Sequence, residues 1–513
     1  MERKHWTLLA VCVATFMLLI DVTIVNVALP DIQRDLGASL SSLQWVVNAY
    51  ALTLASFLLV SGSIGDRLGR RRVFTIGFAV FVGASALCGL SGSPTMLNLA
   101  RGLQGTGAAA MFATSLALIA QEFEGRERAN AIGIWGASVG GAVAIGPLVG
   151  GVLTESLGWE WIFFVNIPIG LAAMVLTETK LVNVKATDPQ PIDWGGLVTF
   201  SAALFALIFG LIRGNAEGWG SPVIVGCFMG AAVLLAAFVA IELRKESSML
   251  DLTLFRKPSF AGVSIVAFCL SAGMFSLFLY LTLYIQDVLR FSPLEAGLRF
   301  LPLTLLSFVV APISARLSAR IPFRALMGTG LFLTGLGLAA MRGIEVGDSW
   351  TGLLPGFLLA GAGVGMTNPG IASVAIGVVD PRRAGMASGI NSTFRQVGIA
   401  TGVAALGAIF QSRVTSELAT SLPQAPGAFS EAVSSGATQS ALASVPAQFR
   451  DQAAAAADAA FVSGLNEILL FGAVIAALGG IASWLLVRSD ATPHAAPEAQ
   501  PSADQTPEPA PAG

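Results

Sequence analysis

Long apolar segments separated by short polar connections recur along almost the whole chain. About fourteen of them are long enough to cross a bilayer, which takes about 20 predominantly apolar residues in a helix. Backbone polar groups must be paired within a segment at that depth, so the pattern predicts transmembrane helices and not strands. The predicted spans are residues 6–29, 44–63, 73–91, 95–120, 130–154, 160–178, 194–213, 221–243, 258–285, 292–318, 324–342, 351–378, 384–411 and 461–487.

Composition supports a polytopic membrane protein and excludes several kinds of site. Hydrophobic residues make up 54% of the 513 residues and charged residues 12%, about half the charged share of a typical soluble domain. The two histidines, His5 and His494, lie near the termini, which excludes a histidine-based zinc or catalytic site in the core. The four cysteines lie in apolar segments without metal-ligand spacing and are interpreted as buried small hydrophobes.

The distribution of basic residues predicts the orientation of the spans. Most of the 29 lysines and arginines fall in connections on the same side as the N-terminus, and this side is therefore predicted to be cytoplasmic. Both termini are expected there. The first apolar segment is too long for a signal-peptide core and is interpreted as a retained span. The usage of Ala, Gly and Arg favours a bacterium, and hence its cytoplasmic membrane.

An internal repeat organises the spans into two halves. RERANAIGIWG (126–136) resembles PRRAGMASGIN (381–391), and GAAAMFATS (107–115) aligns with AGVGMTNPG (362–370) at the same offset. Parallel repeats predict a pseudo-two-fold axis along the membrane normal and a central site between the halves. The predicted organisation is an N-terminal six-helix bundle over 1–180, two inserted helices over 181–250, a C-terminal six-helix bundle over 251–488 with an external loop over 412–460, and a disordered cytoplasmic tail over 489–513.

The connection after the second span reads GSIGDRLGRRRVF (62–74) and places an acid and glycines ahead of a basic run. A simple positive-inside anchor needs only the arginines. We therefore expect a cytoplasmic latch, in which the acid pairs with basic groups or a helix end and separates as the halves rock. The latch residues are Gly62, Asp66, Arg67, Gly69, Arg70 and Arg71.

Two charged residues are embedded in the first half. Asp21 lies in LLIDVTIVNVALP and Arg101 in LARGLQGTGAAA, where an unpaired charge costs several kcal/mol. At about 1.5 Å per residue, Asp21 lies roughly 22 Å from one face and Arg101 roughly 10 Å from the other. The two depths are similar, so we expect the residues to influence one another. Asp21 is interpreted as a proton carrier; the alternatives are a counter-charge for a cationic substrate and a structural contact with a neighbouring helix.

The fifth span contains GGAVAIGPLVGGVL (140–153) and is predicted to bend. Pro147 removes a helical hydrogen bond, and Gly146, Gly150 and Gly151 leave a groove for a neighbouring helix.

Other polar residues within the spans are candidates for lining a substrate cavity. For the two tyrosines among them, anchoring at the membrane interface is an equal alternative. Asn466 and Glu467 are candidate partners of Arg395. The cavity candidates are Asn26, Gln104, Asn368, Asn391, Arg395, Tyr280 and Tyr284.

Several spaced motifs together resemble the major facilitator superfamily, and within it the fourteen-helix drug:proton antiporters. The 62–74 loop is similar to the superfamily's G-x-L-x-D-R-x-G-R-R/K signature, and 99–110 to the R-x-x-Q-G-x-G signature of its drug exporters. The pattern around Pro147 resembles the motif of its antiporters, and IDVTIVNVALP and WEWIFFVNIPIG are typical of the fourteen-helix family. The resemblance implies two six-helix bundles with two additional helices and an all-α membrane fold.

The function expected from this resemblance is proton-coupled export of amphipathic drugs, dyes or antibiotics, including cationic ones. Dedicated export of one host-made metabolite is the alternative within transporters, and a transporter-like sensor is a remote one. The sequence lacks a nucleophile–base constellation that would indicate an enzyme. It also lacks the G-x-x-x-x-G-K-[ST] loop that would indicate an ATP-driven pump. The expected partners are the lipid bilayer, protons and small substrates, without cofactor, metal, nucleic acid or an obligate protein partner.

Overall fold

The computed structural model describes residues 2–38, 40–123, 125–182, 193–244, 252–379, 384–422, 427–434, 436 and 438–488. These residues are almost entirely helical, and no strand occurs among them. The predicted disordered tail, 489–513, lies outside this part of the chain.

The first half and the two following helices consist of nine helical segments. A short break after Phe164 divides the sixth span in two. The helices are α1 (Arg3–Leu36), α2 (Leu40–Leu68), α3 (Arg70–Gly89), α4 (Pro94–Glu122), α5 (Gly125–Leu157), α6 (Trp161–Phe164), α7 (Asn166–Lys180), α8 (Trp194–Glu217) and α9 (Pro222–Glu242).

The second half begins with a span that is not a single α-helix. A 3-10 turn (Phe275–Leu277) and a π-turn (Tyr284–Val288) interrupt it. The helices are α10 (Pro258–Gly273), α11 (Phe278–Leu283), α12 (Pro293–Leu317), α13 (Phe323–Ala340), α14 (Leu354–Gly377), α15 (Ala384–Ser421), α16 (Gly427–Ser434), α17 (Thr438–Ala443) and α18 (Arg450–Leu486).

Length and composition agree with a multi-pass membrane protein. Among the described residues, 12 helices are long and apolar enough to cross a membrane, and α5 makes 13 if its two bent parts form one span. The apolar part of α2, Trp45–Leu58, is too short to be counted among these 12 helices. The prediction of an all-α membrane fold is confirmed, whereas the side on which the termini lie stays a prediction.

The two halves repeat the same pattern of helix packing. In the first half α1 packs on α5 and α7, α2 on α4, and α3 on α4 and α7. In the second half α10 packs on α15 and α18, α12 on α14, and α13 on α14 and α18. The halves meet where α5 packs on α12 and α2 on α15, two pairs that correspond under the repeat. Such a parallel repeat places the space between the halves on the pseudo-two-fold axis.

Helices α8 and α9 pack on each other beside this seam. α8 contacts α2 in the first half and α15 in the second. Large apolar side chains of α9, among them Met229 and Val233, are exposed at the bundle surface, as expected of a helix that faces lipid.

Much of the segment 412–460, which is predicted to be an external loop, is helical in the described residues, and its position outside the membrane stays a prediction. α15 continues to Ser421, α18 begins at Arg450, and α16 and α17 lie between them. The run DQAAAAADAA at the start of α18 is rich in alanine, the strongest helix former. Phe429, Val433 and Leu442 of the short helices are buried against the core of the second half. Burial of these side chains explains why the segment folds onto the bundle.

Candidate functional site

Asp21 lies in the interior of α1 with no exposed surface. Its Oδ2 accepts a hydrogen bond from Arg101 Nη1 at 2.5 Å. Its Oδ1 accepts from Gln104 Nε2 at 2.8 Å and from Asn166 Nδ2 at 3.1 Å. The three donors lie on α4 and α7, so one carboxylate connects three helices of the first half. A buried carboxylate is tolerated at this position because its charge is paired and both oxygens are hydrogen-bonded.

Arg101 is equally enclosed, with 1% of its surface exposed. Besides Asp21, its Nε donates to the carbonyl oxygen of Val46 at 2.9 Å, and its Nη1 donates to Oε1 of Gln104 at 2.6 Å. The guanidinium carbon lies 4.4 Å from the ring centroid of Tyr50 and 5.7 Å from that of Phe163. Aromatic faces stabilise a desolvated cation. The arginine is thus held by a carboxylate, a carbonyl and two rings.

Gln104 connects the Asp21–Arg101 ion pair, which joins α1 and α4, to helix α3. Its Nε2 donates to Oγ of Ser85 on α3 at 2.7 Å as well as to Asp21. Its neighbour Gly105 lies so close to α2 that a Cβ would overlap the carbonyl group of Tyr50. This close approach brings the Arg101 side chain within reach of the α2 backbone. The amide of Gln104 is therefore used within the ion-pair cluster, and its role as a cavity residue stays a prediction.

The sequence predicted the two charged members of this cluster but missed Asn166, Ser85 and Tyr50. Asn166 is a single amide within an apolar span, the same signal that identified Asp21. The composition of the spans does not indicate which of these polar residues face each other.

The arginines of the predicted latch contact helices of the first half. Arg70 Nη1 donates to the carbonyl of Ala117 on α4 at 2.9 Å. Arg71 forms an ion pair with Glu178 of α7 at 2.7 Å and donates to the carbonyl of Leu181 at 3.0 Å. Gly69, with φ of 100°, links α2 to α3 in a conformation that favours glycine.

The other latch residues add little to these contacts. Gly62 faces Ala113 of α4, where a Cβ would lie 4.0 Å from that of the alanine, and Arg67 is exposed. The side chain of Asp66 lies outside the described residues, so its predicted pairing stays a prediction.

The glycines of α5 lie at the seam between the halves. The helix bends by 41° between Ile134–Ala142 and Ile145–Leu157, next to Pro147. Gly146 and Gly150 face Thr23 and Ile24 of α1, and Gly151 faces Leu294 of α12. A Cβ at any of the three glycines would come within contact distance of the facing helix, so the pattern supports close packing against both halves.

A cavity of about 110 Å³ lies between the halves, beside the Asp21 cluster. α1 contributes Val22, Asn26 and Pro30 to its lining, and the second half contributes mainly apolar groups such as Phe275 and Phe278. Of the seven predicted cavity residues, Asn26 alone is among the residues that line this cavity. The cavity is predominantly apolar with few polar groups, as small-molecule sites commonly are.

The remaining cavity candidates lie elsewhere in the second half. Tyr280 and Tyr284 are 4% and 1% exposed within its core, and the Tyr280 ring lies 5.0 Å from that of Phe410. Neither tyrosine is among the residues that line this cavity, so a role in substrate binding stays a prediction for both. Arg395 donates to Oδ1 of Asn368, and Asn391 is buried one turn before it on α15.

The partner of Arg395 is not one of the two candidates from the sequence. Asn466 instead accepts from the backbone N–H groups of Gly343 and Ile344 and donates to the carbonyl of Ile344. It stabilises a turn after α13. In the part of the chain that the structure describes, no group of three or more His, Cys, Asp or Glu residues is placed to hold a metal ion.

Polar contacts join the halves at the side where α1 ends, which we call the far side. Oε2 of Glu155, on α5, accepts from Oγ of Ser292 at 2.9 Å and from the backbone N–H of Leu294 at 3.4 Å. Gln286 Nε2 donates to the carbonyl of Val27 at 3.2 Å. These contacts would have to separate for the halves to open on the far side.

Comparison with known families agrees with this architecture. The sequence model described as the Major Facilitator Superfamily matches residues 11–403. The chain belongs to this superfamily. A major facilitator protein of this kind is a multi-pass membrane transporter and not an enzyme, and in bacteria its location is the cytoplasmic membrane.

Individual relatives are similar over most of their length. The tetracenomycin C resistance and export protein of Streptomyces glaucescens is 38% identical over 421 residues, 81% of this chain and 77% of that one. The puromycin resistance protein of Streptomyces alboniger is 36% identical over 422 residues, 81% and 84%. The multidrug resistance protein Stp of Mycobacterium tuberculosis is 38% identical over 421 residues, 82% and 78%.

Solved structures support the fold. A bacterial homologue of the human lysosomal transporter Spinster, in an inward-facing and unoccupied conformation, has a TM-score of 0.66 at 17% identity, covering 95% of this chain and 97% of that one. The human organic anion transporter MFSD10 has a TM-score of 0.59 at 15% identity, covering 92% and 99%.

Proposed function

We propose that this major facilitator protein is a proton-coupled antiporter that exports amphipathic drugs, dyes or antibiotics from the cytoplasm by alternating access. The observation that carries the proposal is the buried Asp21–Arg101 pair, whose acid lies on α1, a helix that lines the central cavity. Ionisable residues within membrane spans are usually functional. Relatives whose names refer to tetracenomycin C, puromycin and multidrug resistance support a drug substrate.

Protonation of Asp21 supplies the chemical step. Protonation removes the negative charge that balances Arg101, and a buried cation without its partner is strongly unfavourable. The cluster then rearranges, and because its members lie on α1, α3, α4 and α7, the rearrangement moves helices and not only side chains. Loss of the proton restores the ion pair and the original packing. Proton binding thus changes the relative stability of two arrangements of the first half, as a coupled transporter requires.

The seam between the halves supplies the mechanical step. The glycines of α5 allow that helix to pack closely on α1 and on α12. Glu155 and Gln286 add polar contacts across the halves at the far side. We propose that rocking about the α5–α12 and α2–α15 contacts exchanges far-side closure for closure at the opposite side. The predicted latch at residues 62–71 acts at that opposite side.

The predominantly apolar cavity favours breadth of substrate. Few fixed hydrogen-bonding groups line it, so fit and burial of apolar surface select the cargo. A dedicated exporter would need more polar groups to reject close analogues of one metabolite. A susceptibility panel of chemically unrelated drugs, in a host lacking its own pumps, separates the two: several drugs become less effective with a broad exporter, and one with a dedicated exporter.

Transport in vesicles tests the proposal directly. Purified protein is reconstituted, a pH gradient is imposed, and uptake of a fluorescent amphipathic dye is followed. We expect uptake against the dye gradient with the natural protein and loss of this uptake with Asp21→Asn. Asp31→Asn is the matched control, since Asp31 lies on the same helix and pairs with Arg34. Equal gradient-driven uptake by Asp21→Asn and by the natural protein would contradict the proposal.

A further inference from the structure

Arg395 differs from Arg101 in its surroundings. Arg101 faces the carboxylate of Asp21, whereas the described partner of Arg395 is a neutral side chain, Asn368 of α14, whose Oδ1 accepts from Nη2. Among the described residues no carboxylate lies within ion-pair distance of Arg395. A guanidinium has five N–H donors, and its bond to Asn368 satisfies only part of them. The second half therefore holds an embedded cation without a counter-charge.

A second donor lies one helical turn away. Asn391 is 6% exposed, and its Nδ2 has no hydrogen-bond acceptor. Residues four apart share a helix face, with Cβ atoms about 5–6 Å apart, so Asn391 and Arg395 lie on one face of α15. Leaving a buried donor without an acceptor is unfavourable. Asn391 and Arg395 thus offer donors at one place without enough acceptors.

The same face of α15 borders the central cavity. Ile399 and Val403, one and two turns after Arg395, line that cavity. Arg395 is only half-buried. Arg395 therefore lies one helical turn of α15 from the residues that line the cavity.

We propose that Arg395, Asn368 and Asn391 form an anion-binding subsite beside the cavity, one turn of α15 beyond its lining residue Ile399, which recognises a carboxylate, sulfonate or phenolate group on an amphipathic substrate. This inference rests on the proposed export function and names a substrate class for it. The fork of a guanidinium matches the oxygens of such groups. The negative charge of Asp21 is balanced by Arg101 and does not oppose an anion in the cavity. The subsite holds the anionic group while apolar lining such as Phe275 covers the hydrophobic part.

Binding of a matched pair of probes tests the subsite without a proton gradient. The probes are 1-anilinonaphthalene-8-sulfonate and N-phenyl-1-naphthylamine, which share one aromatic frame and differ by the sulfonate. Equilibrium dialysis against the full-length protein in lipid nanodiscs, with empty nanodiscs subtracted, gives both dissociation constants. We expect Arg395→Gln to weaken binding of the sulfonate about tenfold and that of the neutral probe less than about twofold. Arg320→Gln, at an exposed arginine, is the control and leaves both unchanged.

An isosteric variant keeps the test informative if Arg395→Gln does not fold. Asn391→Asp places a carboxylate on the same helix face as Arg395. We expect this carboxylate to pair with the guanidinium and to weaken binding of the sulfonate probe but not of the neutral probe. Arg395→Lys keeps the positive charge, and we expect it to retain part of the sulfonate binding. Equal weakening of both probes, or no weakening of either, overturns the proposal. Because the measurement uses no pH gradient, a failure of proton coupling leaves this result unaffected, and a failure here leaves proton coupling untouched.

Discussion

Asn166 of α7 and Gln104 of α4 donate hydrogen bonds to the same oxygen, Oδ1, of Asp21. The other oxygen accepts from Arg101. The carboxylate therefore connects α1 to α7 as well as to α4, and its charge partner on α4 alone would not make the connection to α7. A change in its protonation alters three donors at once, and we propose that this is how one proton acts on the packing of the whole first half.

Replacing Asn166 by Leu tests the contribution of α7. The variant removes one donor to the carboxylate and keeps a side chain of similar size, so we expect a loss of about 1 kcal/mol in stability and a lower rate of gradient-driven transport. Thermal melting of the purified protein and dye uptake in vesicles measure the two effects. Asn98→Leu, on α4 outside the cluster, is the comparison. An unchanged transport rate for Asn166→Leu would remove α7 from the coupling.

Replacing Arg101 by Lys keeps the charge and removes the planar fork. A lysine has no Nε to donate to the Val46 carbonyl and presents no planar group to the Tyr50 ring. We expect a normally expressed protein whose transport rate is at least about tenfold lower, a barrier increase of about 1.4 kcal/mol. Dye uptake normalised to the amount of folded protein measures it. Natural activity in this variant would mean that charge alone is sufficient at this position.

Replacing Gly151 by Val tests the seam between the halves. A side chain there overlaps the backbone of Leu294, so α5 and α12 cannot pack as they do now, and we expect transport to be lost. Gly136→Val is the matched control, because a Cβ at that glycine of α5 meets no atom within 4 Å. Vesicle transport compares the two. Equal loss in both variants would point to a general effect on the helix and not to the seam.

Replacing Glu155 by Gln tests far-side closure. A neutral side chain interacts more weakly with the N-terminal end of α12, so we expect the far side to open more often. Spin labels at Leu157 and Leu298, exposed residues on either side of the seam, report the change as a shift toward longer distances. Glu295→Gln is the control, since Glu295 caps its own helix without crossing between the halves. Identical distance distributions in natural protein and Glu155→Gln would argue against a gate there.

Hydropathy predicted the long apolar helices, and the helical rise predicted similar depths for Asp21 and Arg101, whose side chains form an ion pair. Similar depth for Asp21 and Arg101 followed from counting residues from opposite faces. Hydropathy and the helical rise do not determine how each helix is rotated about its own axis, and hence which side chains face a neighbouring helix. The side chains of Tyr280 and Tyr284, candidates for lining a cavity, are buried in the core of the second half, and Tyr284 begins the π-turn.

Partner choice was the other part that the sequence did not determine. Asn466 and Asn368 are equally plausible partners for Arg395 by composition. Asn368 is the partner because its helix, α14, packs on α15, which carries Arg395. The helices at 427–443 were missed because their burial depends on the core beneath them and not on their own hydropathy.

Proton flow caused by substrate is the most direct measurement of the central claim. Vesicles contain the purified protein, a trapped pH indicator and a gradient of an amphipathic dye, with no initial pH difference. We expect dye leaving the vesicles to draw protons inward with the natural protein and to draw none with Asp21→Asn. Dye movement without any proton flow in the natural protein, or unchanged proton flow in the variant, contradicts a role for this carboxylate in coupling.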